Sequence, residues 1–145
     1  MNWFARSLSV TLLVNLFTLS PASASCSCGP AQEIDQAYTD AQTVFIGRVE
    51  HILKSPLRQG LNEIKFLLMK GFKGTEEAMN RTLVVYTPIE SDECGYAFIP
   101  GQEYLVYASG TPANFRVVSC SRTKVYDTAK EEVTKLVVLS EKPAH

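Results

Sequence analysis

Four cysteines carry the chemistry that this sequence offers most plainly. Cys26 and Cys28 stand one residue apart, and Cys94 and Cys120 follow far along the chain. In an oxidising compartment four thiols read as two disulfides; as thiolates they could instead surround a zinc ion. Structural zinc sites usually take ligands in pairs separated by two to four residues. Here there is one close pair, with a single residue between its members. Disulfides are the expected state. A Cys26–Cys28 bridge would close a very small, strained ring. That leaves Cys26–Cys94 with Cys28–Cys120, or the crossed set, and composition does not separate them. By chain entropy each long loop closed contributes roughly 4 kcal/mol.

Other reactive groups are sparse. The two histidines, His51 and His145, fall in an expected strand and at the terminus, and no nucleophile–base–acid set accompanies them. The expectation is a protein that is not an enzyme and has no cofactor of its own. Tyr86, Tyr96, Tyr104 and Tyr107 read as barrel and rim aromatics, although such a face can stack nucleic-acid bases. Asn80-Arg81-Thr82 is a glycosylation sequon, with meaning only in a eukaryotic secretory pathway.

The compartment is read from the first residues. A short segment ending in Arg6 precedes an apolar stretch from Leu8 to Leu19 and the small residues Ser20 to Ala24. These are the three parts of a secretory signal. About 12 apolar residues fall short of the roughly 20 a membrane span needs. Ala22-Ser23-Ala24 predicts a cut after residue 24 and a start at Ser25; a cut after Ser25 would expose Cys26. A lipoprotein-type cut before Cys26 fits poorly, because Ser23 stands where an aliphatic residue is wanted. The expected product is one domain over residues 25–145, secreted or periplasmic, without a membrane span and monomeric. Loss of Arg6 leaves 13 basic against 15 acidic residues, which argues against nucleic acid or an anionic membrane as partner.

The elements that must position the cysteines follow from periodicity. Ile34, Ala37, Tyr38 and Ala41 recur on one helical face, with Pro30 suited to the first turn and Glu33 and Asp35 to the helix dipole. Strands are expected over 43–52, 62–72, 82–87, 103–108 and 115–120. Gly47 suggests a bulge, and Gly71 and Gly74 a break. Thr128-Ala-Lys-Glu131 fits a capping box, and Val133, Leu136 and Val137 form a core-facing helical stripe. Five short strands with a helix at each end suggest a mainly β fold. The candidate is the five-stranded, partly open Greek-key barrel called the OB-fold, one of several small β architectures.

Cys26-Ser27-Cys28-Gly29-Pro30 has the Cys-x-Cys-x-Pro spacing that opens the mature tissue inhibitors of metalloproteinases, a group within the netrin-like OB-folds. Further pieces resemble that family in its order: Glu63-Ile64-Lys65, Lys70 to Gly74, Val85 to Pro88, Glu93 to Tyr96, Glu103 to Val106 and Ser119 to Ser121. The resemblance spans nearly the whole expected domain. No cysteine lies between Cys28 and Cys94, so the family's third disulfide within this domain has no counterpart.

The resemblance implies the pairs Cys26–Cys94 and Cys28–Cys120. It also implies a secreted inhibitor of zinc metalloendopeptidases. The α-amine and carbonyl oxygen of Cys26 would chelate the protease's zinc, so the only metal involved belongs to the partner. Ser27 would enter the specificity pocket, Cys28, Gly29 and Pro30 would support it, and Glu90, Ser91, Asp92 and Glu93 would form the flanking loop. A start at Ser25 would turn the Cys26 amine into a peptide nitrogen, a poor zinc ligand. The alternative expectation is a non-inhibitory netrin-like module that binds proteins of the envelope or extracellular space.

Overall fold

The computed structural model describes residues 26–76, 78–90 and 93–142; the expected leader and Ser91, Asp92 and His145 lie outside the described residues. Strand β1 (Thr43–Lys54) pairs antiparallel with β2 (Leu61–Lys73), and β2 with β3 (Thr82–Pro88). β3 runs parallel to β5 (Asn114–Arg116), which pairs antiparallel with β4 (Glu103–Thr111). β4 returns to β1, from Thr43 opposite Ala108 to Arg48 opposite Glu103. The five strands therefore close into a Greek-key barrel of the OB type.

Closure explains the sequence of β1. Phe45 and Val49 point into the barrel with Ile64, Phe66, Val85, Tyr104, Val106 and Phe115. Val44 and Ile46 point outward, beneath the two helices, with Phe72, Leu105 and Tyr107. Side chains alternate across a strand, and both faces of this one are covered, so Val44, Phe45 and Ile46 are apolar without interruption. The helices α1 (Ile34–Asp40) and α2 (Lys130–Ser140) supply Ala37 and Leu136 to the outer cluster. Leu136 is fully buried, and Val133 and Val137 pack beside it.

Gly47 sits where the β1–β2 register shifts, between Ile46 and Gly47. A Cβ there would lie 2.9 Å from the Phe45 ring and 3.1 Å from the Phe66 ring. The bulge lets β1 bend around the barrel while two aromatic rings press on its backbone.

Four local expectations change. β2 continues through Gly71 to Lys73 and ends only before Gly74, whose φ is +60°. β5 stops at Arg116 instead of reaching Cys120. Val117 still donates to Tyr86 O, but the chain then turns, Ser121 N donating to Val118 O, which carries Cys120 toward the amino-terminal tip. α1 begins at Ile34, so Pro30 belongs to the tip and not to the first turn. The Thr128 hydroxyl donates to Val125 O within a 3-10 turn, so Ala129 caps α2 and no capping box forms. A short strand β6 (Lys124–Val125), absent from the periodicity, adds to β4.

Candidate functional site

Residues 26–30 form no helix or strand, and Ser27, Cys28, Gly29 and Pro30 are all exposed. Two covalent staples hold this segment. Of the pairings open to the sequence, the structure has Cys26 with Cys94 and Cys28 with Cys120, at Cα–Cα separations of 5.3 and 5.2 Å. One staple reaches the loop between β3 and β4, the other the turn after β5. The tip is therefore fixed at two points, one on each of two neighbouring connections at the barrel's end.

The receiving loops are themselves ordered by backbone bonds. Gly95 N and Glu93 N both donate to Glu90 O, and Tyr96 N donates to the buried Thr87 hydroxyl at 2.7 Å. Cys94 takes a left-handed φ of 63°, and its carbonyl accepts from Ser119 N at 2.9 Å. A side chain at Gly95 would collide with the Pro88 carbonyl, which fixes why the loop can fold this tightly. Ser119 thus ties one staple's loop to the other staple's turn. Glu90 and Glu93 are exposed on that loop; Ser91 and Asp92, also expected there, lie outside the described residues.

The two disulfides lie side by side. Cys26 Sγ is 3.7 Å from Cys120 Sγ, and the sulfurs of Cys26, Cys28 and Cys120 fall within 4.8 Å of one another. All four cysteines are oxidised, so in this state the cluster has no thiolate to give a metal.

A network that periodicity does not mark lies beneath the tip. Glu132 of α2 is buried and accepts four hydrogen bonds. Tyr107 OH donates at 2.6 Å, Arg122 Nε and a terminal guanidinium nitrogen at 2.8 Å each, and Lys124 Nζ at 2.7 Å. Burial alone would raise the Glu132 carboxyl, but the donors Arg122, Lys124 and Tyr107 outweigh it and hold the pKa at about 2. Burial, then the bond to Glu132, pushes the Tyr107 hydroxyl well above its usual range. The remaining Arg122 nitrogen donates to the carbonyl of Gln32, two residues past Pro30. Helix α2 is thereby wired to the segment that leaves the tip. Beside it, a cleft of about 280 Å³ is lined by Cys28, Gln32, Ser119, Ser121, Arg122 and Lys124.

The other singled-out residues fall elsewhere. His51 is exposed on β1 and pairs with Lys65 of β2. Tyr104 is buried inside the barrel, Tyr107 under α2, and Tyr96 stacks on Phe98 at 4.5 Å between ring centroids. Tyr86 is covered by the Arg58 guanidinium at 4.2 Å. Among the described residues no helix is long and apolar enough to cross a membrane. In comparisons with known proteins, no family model matches the chain and no curated protein matches it.

Proposed function

We propose that the protein is an inhibitor of zinc metalloendopeptidases that acts through its stapled tip. The observation carrying this reading is a Cys26-Ser27-Cys28 segment, exposed at Ser27 and Cys28 and partly exposed at Cys26, bonded at both cysteines to loops of the barrel. A catalytic zinc keeps one position open for water or substrate. A backbone amine and carbonyl on a rigid prong can fill that position as a bidentate ligand. The prong resists cleavage because its geometry is held at the ligating residue itself and again two residues on. Rigidity also supports affinity, since a segment already ordered loses little freedom on docking.

In this reading Cys26 supplies the α-amine and carbonyl oxygen, and the small Ser27 side chain enters the pocket beside the zinc. Cys28, Gly29 and Pro30 form the wedge behind it. The Glu90–Glu93 loop lies against the partner, because Cys94 joins it to Cys26. The reading requires export, removal of the leader and a chain that starts at Cys26. A start at Ser25 favours the second reading, a binding module without inhibition, because an amide nitrogen is a poor zinc ligand.

The test is titration of the purified, disulfide-bonded chain starting at Cys26 against a panel of zinc endopeptidases. Stoichiometric loss of peptide hydrolysis supports the proposal. Full activity across the panel at a large excess of the chain rejects it.

A further inference from the structure

From the placement of all four sulfurs we infer that the reduced protein holds a zinc ion at the base of its tip, as a tetrathiolate. This does not rest on protease inhibition. It concerns a second state of the cysteines, reached when a thiol reductant meets the protein before or after its staples close.

The spacing of the cysteines gives no sign of such a site, since one residue separates Cys26 from Cys28 and the other two are distant. The fold supplies what the spacing lacks. Cys94 comes from the β3–β4 loop and Cys120 from the turn after β5, and each disulfide brings its partner from the tip into the same place. A zinc ion with four thiolates has Zn–S bonds near 2.3 Å, which puts neighbouring sulfurs about 3.8 Å apart in a tetrahedron. Cys26 Sγ and Cys120 Sγ, which are not bonded to each other, already stand 3.7 Å apart. The sulfurs of Cys26, Cys28 and Cys120 lie within 4.8 Å of one another, and Cys94 Sγ is bonded to Cys26. Once the bonds open, the two sulfurs of each pair have to separate by about 1.8 Å, roughly 0.9 Å each, to reach a tetrahedral edge.

Access and chemistry agree with the geometry. Cys28 and Cys120 are exposed, and Cys26 and Cys94 are partly exposed, so reductant and metal both reach them. Arg122 and Lys124 line the cleft beside Cys28 and Cys120; Glu132 already takes one of their two charges, which leaves one net positive charge near the thiolates. Four sulfur ligands in a tetrahedron select zinc over harder divalent ions. The step balances simply. A dithiol reductant opens each bridge and becomes a disulfide itself, giving four protein thiols. Those thiols then lose four protons as their sulfurs close on one Zn²⁺. The ion would replace both staples at once, anchoring the tip to the same two loops.

The experiment takes the chain starting at Cys26, reduces it with a phosphine without oxygen, and titrates it with Co²⁺ as a spectroscopic stand-in. The expected result is one Co²⁺ per chain, with an intense thiolate-to-metal charge-transfer band and visible bands of tetrahedral form. Zn²⁺ should abolish both bands, and circular dichroism should show the barrel retained or restored. The oxidised chain should give none of this. Cys120→Ser should weaken the reduced chain's affinity by about tenfold or more. A weak octahedral spectrum, or a reduced chain that stays unfolded with metal present, would overturn the inference. So would disulfide formation that is equally fast with and without excess Zn²⁺ when, after removal of the phosphine, a small-molecule disulfide is added as oxidant, because a bound ion should protect the thiols.

Discussion

The guanidinium of Arg122 joins Gln32 to Glu132 of helix α2: it donates to the Gln32 carbonyl while two of its nitrogens hold Glu132 at 2.8 Å. The segment leaving the tip is thus fixed twice, covalently through Cys28–Cys120 and electrostatically through α2. Arg122→Ala would leave the buried Glu132 with Lys124 and Tyr107 alone and the Gln32 carbonyl without this donor. The expected loss is about 2–3 kcal/mol in denaturant unfolding, with Arg122→Lys recovering only part of it. Hydrogen exchange should quicken in residues 31–34 more than in the barrel strands.

Acid should undo the same network. Glu132 titrates at about 2 in the folded protein, below its ordinary range, so its contribution is present above the unfolded carboxyl's pKa and fades as pH falls toward 2. The contribution is on the order of 3 kcal/mol, lost mainly between about pH 5 and pH 2. Denaturant melts of the parent and Glu132→Gln over that range check this. The parent should lose stability steeply, and the variant, already weaker at neutral pH, should change much less.

The two staples should differ from ordinary core contacts in acting mainly through the unfolded chain. Replacing both members of one pair by serine is expected to cost up to about 4 kcal/mol for either loop. Cys26→Ser/Cys94→Ser and Cys28→Ser/Cys120→Ser should therefore lower the unfolding midpoint by similar amounts. If one pair proved neutral, the chain-entropy account of that loop would be wrong.

Glycines separate the fold from the tip. Gly47→Ala places a Cβ against the Phe45 and Phe66 rings and the Leu67 carbonyl, whereas a Cβ at Gly29 meets nothing within 4 Å. The first substitution should cost about 1–3 kcal/mol of stability and the second close to none. Thermal unfolding of the two variants makes the comparison directly.

Much of this architecture is legible in the sequence, for identifiable reasons. β1 and β3 carry β-branched runs and β2 and β4 aliphatic and aromatic ones, each with Gly or Pro near an end, and the bulge is marked by Gly47 within β1. The helical stripe of α2 is visible because Leu136 and its neighbours repeat with the helix period. What escapes is decided by contacts distant in sequence. Thr128 looks like a cap until its hydroxyl finds Val125 O instead. Glu132 looks like a solvated first-turn acid, yet it is buried because Tyr107, Arg122 and Lys124 come to it from other elements. No periodic pattern links those four positions. The cysteines were visible as candidates, but spacing alone did not fix their partners or reveal that both bridges share one cluster.

In the proposed inhibition, the backbone of Cys26, held by its own bridge to Cys94 and by the Cys28–Cys120 bridge, is the group that meets a partner's metal. The most direct measurement is the inhibition constant of two otherwise identical oxidised chains against one zinc endopeptidase that the chain inhibits. One chain starts at Cys26 with a free α-amine; the other has that amine acetylated. The account predicts a loss of at least about a hundredfold on acetylation, roughly 2.8 kcal/mol of binding free energy, with unfolding unchanged. Equal inhibition by the two chains would contradict it.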